Sequence, residues 1–66
     1  MELIHMTEIE IRVGAKAKIF ASMGDKVFVF EGTISAFDDS TLRLFDFRKQ
    51  ADVDLKRDTI LQIVWQ

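Results

Sequence analysis

The sequence predicts an all-β fold, a strongly bent antiparallel meander of five short strands that closes on itself as a small barrel. Three observations predict it. Apolar and polar residues alternate over most of the chain, and a period of two marks half-buried strands. Clusters of turn residues, Asp38-Asp39-Ser40 among them, interrupt that alternation at short intervals. Only Met1 to Thr7, with Leu3, Ile4 and Met6, is open to a helical reading, and it is too short for more than about two turns.

The first strand is read from Ile9 to Ile19. Ile9, Ile11, Val13, Ala15, Ala17 and Ile19 form its apolar face, and Glu8, Glu10, Arg12, Gly14, Lys16 and Lys18 the other. A hairpin turn follows at Ser22, Gly24 and Asp25, because glycine accepts a positive φ and aspartate bonds its own backbone. The second strand runs from Lys26 to Phe37 with Phe28, Phe30, Ile34 and Ala36 inward, and Gly32 stands where another inward side chain would be. A glycine inside a strand marks a bend, a bulge or a close backbone approach, and a small barrel needs such a corner. Asp38, Asp39 and Ser40 turn the chain into a third strand, Thr41 to about Arg48, with Leu42 and Leu44 inward and Phe45 and Phe47 on the opposite face. Past the polar link Lys49-Gln50-Ala51, Val53 and Leu55 alternate in a short fourth strand, Arg57 and Asp58 make a tight turn, and the last strand extends from Thr59 to Trp65. Five short strands joined in this way suit an SH3-like barrel. The last strand is apolar on both faces, with Ile60 and Val64 on one and Leu61, Ile63 and Trp65 on the other. Together with Phe45 and Phe47, that surplus is expected to be covered by a neighbouring subunit; the competing reading is an irregular strand with singly exposed apolar residues.

Size gives a second reason to expect assembly. The chain of 66 residues forms one domain, and a domain so small rarely draws more than roughly 3 to 5 kcal/mol from its core. Having no cysteine, it has neither disulfides nor thiolate metal sites to help, and its one histidine, His5, has no spaced partner, so no metal or other cofactor is expected. A homo-oligomer is what remains. The longest apolar run, Val27 to Phe30, is four residues, and no charged-then-apolar leader opens the sequence, so a cytoplasmic protein with no membrane partner is expected. The net charge of −2 speaks against a general polyanion binder and leaves room for a local basic patch. Catalysis has little to stand on: there is no cysteine, nucleophile elbow or glycine-rich phosphate loop, and the Asp38-Asp39 pair is adjacent in sequence, so its side chains diverge. The expectation is a protein that is not an enzyme.

The segment Val29-Phe30-Glu31-Gly32-Thr33-Ile34-Ser35-Ala36-Phe37-Asp38 resembles the first motif of Sm-like proteins, in which hydrophobic-x-Gly-x-hydrophobic-x-x-Phe-Asp runs along a bent second strand into a turn. It is most similar to the Hfq-like branch of that family. Lys56-Arg57-Asp58-Thr59-Ile60-Leu61-Gln62-Ile63 is similar, more loosely, to the second motif, Arg-Gly-x-Asn-hydrophobic-x-x-hydrophobic. The resemblance covers about residues 19 to 64. It implies a bent five-stranded barrel whose fourth and fifth strands pair edge to edge with neighbours in a ring of roughly six or seven subunits, binding uridine-rich or adenine-rich single-stranded RNA around a pore. An edge strand apolar on both faces is an aggregation hazard unless paired, and a closed ring pairs every edge.

On this reading the candidate RNA-binding residues are Asp38, Asp39, Ser40, Thr41, Lys56 and Arg57. Thr41 stands where the family pattern has a base-reading asparagine, and Arg57 where it has glycine. Lys56 and Arg57 either line a pore as a positive collar or form a solvated turn; Asp38 either bonds backbone amides of its turn or accepts from a base. Gly32 is the structural bend, and Phe45, Phe47, Leu61, Ile63 and Trp65 form the oligomer interface, with base stacking as a second role for the two phenylalanines. Arg12, Lys16 and Lys18 read as a solvated basic stripe. A function of a different class is also open: a structural or protein-interaction module on the same barrel, such as an assembly protein of a phage or mobile element, favoured by the negative net charge.

Overall fold

A computed structural model describes residues 11–66; Ile9, His5 and the segment open to a helical reading, Met1 to Thr7, lie outside the described residues. The chain forms β1 (Lys16–Met23), β2 (Lys26–Phe37), β3 (Thr41–Asp46), β4 (Ala51–Lys56) and β5 (Ile60–Trp65), all antiparallel in one sheet of order β4-β3-β2-β1-β5. The all-β, five-stranded expectation holds. Closure by hydrogen bonds does not: β4 and β5 are the two edges of an open sheet. A single 3-10 turn, Arg57–Thr59, nevertheless joins these edges, so the sheet has to coil round until they meet at that corner, and the fold is barrel-like. Ala17 and Ile19 of β1, Ile34 of β2, Leu42 and Leu44 of β3, Leu55 of β4 and Ile60 of β5 fill the interior of the coil. Every strand contributes an inward residue, so no strand can be lost without opening the core.

Three local features shift the sequence reading. First, β1 runs from Lys16 and does not continue back through Val13, because Gly14 adopts φ +89° inside a turn closed by an Ala15 N–H to Arg12 C=O bond of 3.2 Å. Val13 therefore belongs to that turn and is exposed. Second, β5 carries an irregularity against β1: Ala21 pairs with Ile60, but Phe20 pairs with Gln62. The extra residue, Leu61, shifts the parity, so Ile63 and Trp65 face Ile19 and Ala17 and pack on the core, while Val64 joins Leu61 outside. Third, β3 ends at Asp46, and Phe47 lies in the following turn. The first half of β2 thus runs on beyond its neighbour, leaving Phe28 43% exposed although the alternation places it inward.

Asp46 is the sole buried charged residue among those described, at 4% exposure, and the local geometry explains why. Its Oδ1 accepts the backbone N–H groups of Arg48 at 2.8 Å and Lys49 at 3.2 Å, while its carbonyl accepts from Gln50 at 2.7 Å. That bonding holds Gln50 at φ +54° and reverses the chain into β4. Asp46→Ala leaves both N–H groups without their acceptor and is expected to cost about 2 kcal/mol, measured by urea unfolding.

Candidate nucleic-acid interface

The six candidate RNA-binding residues come from two turns far apart in sequence, and the fold brings them together. Thr41 opens β3 directly opposite Lys56, the last residue of β4, so the β2–β3 turn and the β4–β5 turn lie side by side. Arg57 links them twice. Its backbone N–H donates to the Ser40 carbonyl at 2.8 Å, and its guanidinium Nη1 donates to the Asp38 carbonyl at 2.8 Å, with the guanidinium carbon 5.9 Å from the centre of the Phe37 ring. A recess of about 420 Å³ opens between the turns, lined by Asp39, Ser40, Thr41, Lys56, Arg57 and Asp58. A second recess of about 380 Å³ adjoins it, lined by Phe37, Asp38, Arg43 and Asp54 among others.

Asp38 builds the floor of the first turn. Its Oδ1 accepts the N–H of Ser40 at 2.9 Å, the N–H of Thr41 at 2.8 Å and the Ser40 hydroxyl at 3.2 Å, and its own N–H donates to the Thr41 carbonyl at 2.8 Å. The Ser40 N–H, and after it the Thr41 N–H, hold the carboxyl below its usual value of 3.8. Of the two roles open to Asp38, the bonds show it holding the turn. A carboxyl with a lowered folded value contributes stability above the unfolded value and loses it as the pH falls through the folded one. Asp38→Asn keeps the shape and removes the charge, so the melting temperature of the variant should lie below that of the native chain at pH 7 and approach it as the pH drops below about 3.8.

Most of the cations around the recess are engaged. Arg43 pairs with Asp54 across β3 and β4 at 2.8 Å, which holds the Asp54 carboxyl low, and Arg57 is committed to Asp38 and Phe37. Lys56 makes no side-chain hydrogen bond or ion pair among the described residues; the Thr59 hydroxyl donates to its backbone carbonyl at 2.6 Å. Asp39 and Asp58 place two carboxylates against the two cations, so the recess is close to neutral and richer in hydrogen-bonding groups than in charge. It suits the edge of a base better than a phosphate cluster. Arg57 does not need the positive φ of the glycine it replaces in the family pattern, since the 3-10 turn is flanked by extended residues at Lys56 and Ile60.

The remaining candidates lie elsewhere. Gly32 is buried where β2 crosses β3, and a Cβ there would come 1.8 Å from the Phe45 carbonyl oxygen; the register irregularity of β2 itself falls between Ile34 and Ala36. Phe45 stands on the outer face between Thr33 and Asp52, Phe47 lies beside β2, and Leu61 is exposed at 57%. Ile63 and Trp65 are half-buried on the core face, with the Arg12 guanidinium 5.2 Å from the Trp65 ring centre. Arg12 is thereby drawn away from the basic stripe of Lys16 and Lys18. The sequence reading missed Phe37 and Asp58, whose place in the recesses follows from the meeting of the two turns. Among the described residues no group of three or more histidine, cysteine or carboxylate side chains is placed to hold a metal ion, and no helix is long and apolar enough to cross a membrane. The chain matches no known family, no characterised protein and no solved structure. Its likeness to Sm-like proteins rests on the two motifs.

Proposed function

We propose that this chain is the subunit of an Sm-like ring that binds single-stranded RNA at the recess between its two turns. The observation that carries the reading is the juxtaposition of Asp39, Ser40 and Thr41 with the unengaged Lys56: hydroxyl and carboxylate acceptors for a base edge beside one cation for its phosphate. Two further features support it. Among the described residues β4 and β5 are the two edge strands of the sheet, and a β4 edge laid against a neighbour's β5 edge gives a heterologous contact that closes into a ring. Lys56 ends β4, so such a ring would set one lysine per subunit around a single circle and turn a weak contact into a multivalent one. Fluorescence anisotropy with uridine-rich and adenine-rich oligonucleotides at low salt is the test. Dissociation constants below about 10 μM are expected for one of them, with a shallow salt dependence because few phosphates are neutralised per subunit. Binding of neither below that level, where nonspecific attraction already operates, refutes RNA binding.

A second reading has its own observation. Val27, Phe28, Val29, Phe37, Phe45, Phe47, Leu61 and Val64 are all exposed, a large apolar surface for so small a chain, and a protein-interaction or assembly module would use it. Affinity capture that returns a protein partner and no RNA would favour this second reading.

A further inference from the structure

Given the RNA binding proposed above, on which this step rests, we infer that the recess between the two turns selects guanine, the Asp39 carboxylate taking the adjacent N1–H and N2–H donors of that base. The selection departs from the uridine or adenine preference that the family motifs imply, and the groups lining the recess are the reason. Most of them accept hydrogen bonds. Asp38 is spent on its own turn, its Oδ1 taking the Ser40 N–H, the Thr41 N–H and the Ser40 hydroxyl. Ser40 has thereby given its only hydroxyl proton to Asp38 and offers lone pairs to a ligand. Asp39 and Asp58 line the recess, are exposed, and make no side-chain hydrogen bond or ion pair among the described residues. The donors are fewer. Arg57 is turned to the Asp38 carbonyl and the Phe37 ring, which leaves the Lys56 ammonium and the Thr41 hydroxyl, whose oxygen stands 3.4 Å from Ser40 Oγ.

The four bases bring different edges to such a wall. Uracil has one N–H between two carbonyl oxygens, so a carboxylate that takes the N–H meets an oxygen on either side. Adenine and cytosine each bring one amino group beside a bare ring nitrogen. Guanine alone carries two adjacent, parallel N–H donors, matched to the two oxygens of a single carboxylate, and bonds to an ionised acceptor are the strong ones. The third polar atom of that edge, O6, is an acceptor for the Thr41 hydroxyl, while Lys56 keeps its phosphate role. An acceptor-rich recess therefore discriminates twice: it satisfies both donors of guanine and opposes the oxygens of uracil. Asp39 is the reader because it adjoins the Ser40 and Thr41 hydroxyls, whereas Asp58 lies in the first turn of the 3-10 segment across the recess.

Changing one base of the bound strand is the test. The uridine-rich or adenine-rich oligonucleotide that binds the full chain is remade with a guanosine at one position, and again with inosine there, which lacks only the 2-amino group. The guanosine strand is expected to bind about tenfold more tightly than the inosine strand and the parent. Asp39→Asn breaks no side-chain bond among the described residues, so it should fold normally, erase the difference between guanosine and inosine, and leave the parent strand bound. Asp58→Asn should keep the difference. Equal binding of the guanosine and inosine strands to the native chain would overturn the selection while RNA binding stood. A preference that survives Asp39→Asn would overturn the role of Asp39. Should no parent strand bind, guanosine monophosphate decides: it should shift the backbone amide NMR signals of Ser40 and Thr41 at concentrations about tenfold below inosine monophosphate. That result keeps the guanine site and discards the RNA strand, and equal or absent shifts overturn both.

Discussion

Replacing Gly32 by alanine is expected to unfold the protein, the largest effect of any single methyl group in the chain. The glycine is buried and pairs with Ala17 on one side and Asp46 on the other, at the place where β2 passes from its β1-paired half to its β3-paired half. A Cβ built on it lies 1.8 Å from the carbonyl oxygen of Phe45 and 2.8 Å from its carbonyl carbon. These are backbone atoms, so no side chain can swing aside; β2 and β3 would have to separate at the centre of the sheet. Overpacking of this kind costs about 3 kcal/mol or more, against roughly 3 to 5 kcal/mol that a core of this size provides. Circular dichroism with urea titration is the measurement. A folded variant within about 1 kcal/mol of the native chain would show that the two backbones do not approach as described.

The second large effect belongs to Lys56. In a closed ring the substitution Lys56→Ala removes the same cation from every subunit at once, and the loss multiplies across the sites that one RNA strand occupies. Affinity for the preferred oligonucleotide is expected to fall roughly a hundredfold, with a shallower salt dependence, while the fold is untouched because the Lys56 side chain is exposed and makes no bond among the described residues. Arg57→Ala should differ in kind. It breaks the tie to the Asp38 carbonyl and the contact with Phe37, so it should lower both RNA affinity and melting temperature. Equal behaviour of the two variants would mean that the recess is not divided between a binding lysine and a positioning arginine.

The strands that the sequence revealed most clearly are those whose turns are marked by side chains. β2 runs from Lys26 to Phe37 as the alternation predicts, because Gly24 at φ +66° turns the chain before it and Asp38, whose Oδ1 accepts the Ser40 and Thr41 N–H groups, turns it after. The two turns were legible in their residue types, but their meeting, which sets Asp39, Ser40 and Thr41 beside Lys56 and Arg57, comes from the pairing of Thr41 with Lys56 across β3 and β4. Backbone irregularities left weaker traces. The extra residue at Leu61 exchanges the faces of β5 without any glycine or proline to announce it, so Ile63 and Trp65, expected outside, lie against the core. Gly14 did announce the turn before β1, but as a polar position in an alternating run it read equally well as part of the strand. The overhang of β2 past β3 depends on where β3 stops, and Asp46 stops it by capping a turn that Phe45 and Phe47, two residues apart, disguise as a continuing strand.

The solution mass, measured by light scattering on the purified chain at two protein and two salt concentrations, tests the proposed assembly most directly. A ring predicts a mass of roughly six or seven subunits of 7.6 kDa, unchanged on dilution. A 7.6 kDa monomer, or a dimer and nothing larger, would contradict the ring and leave the edges of β4 and β5 unpaired.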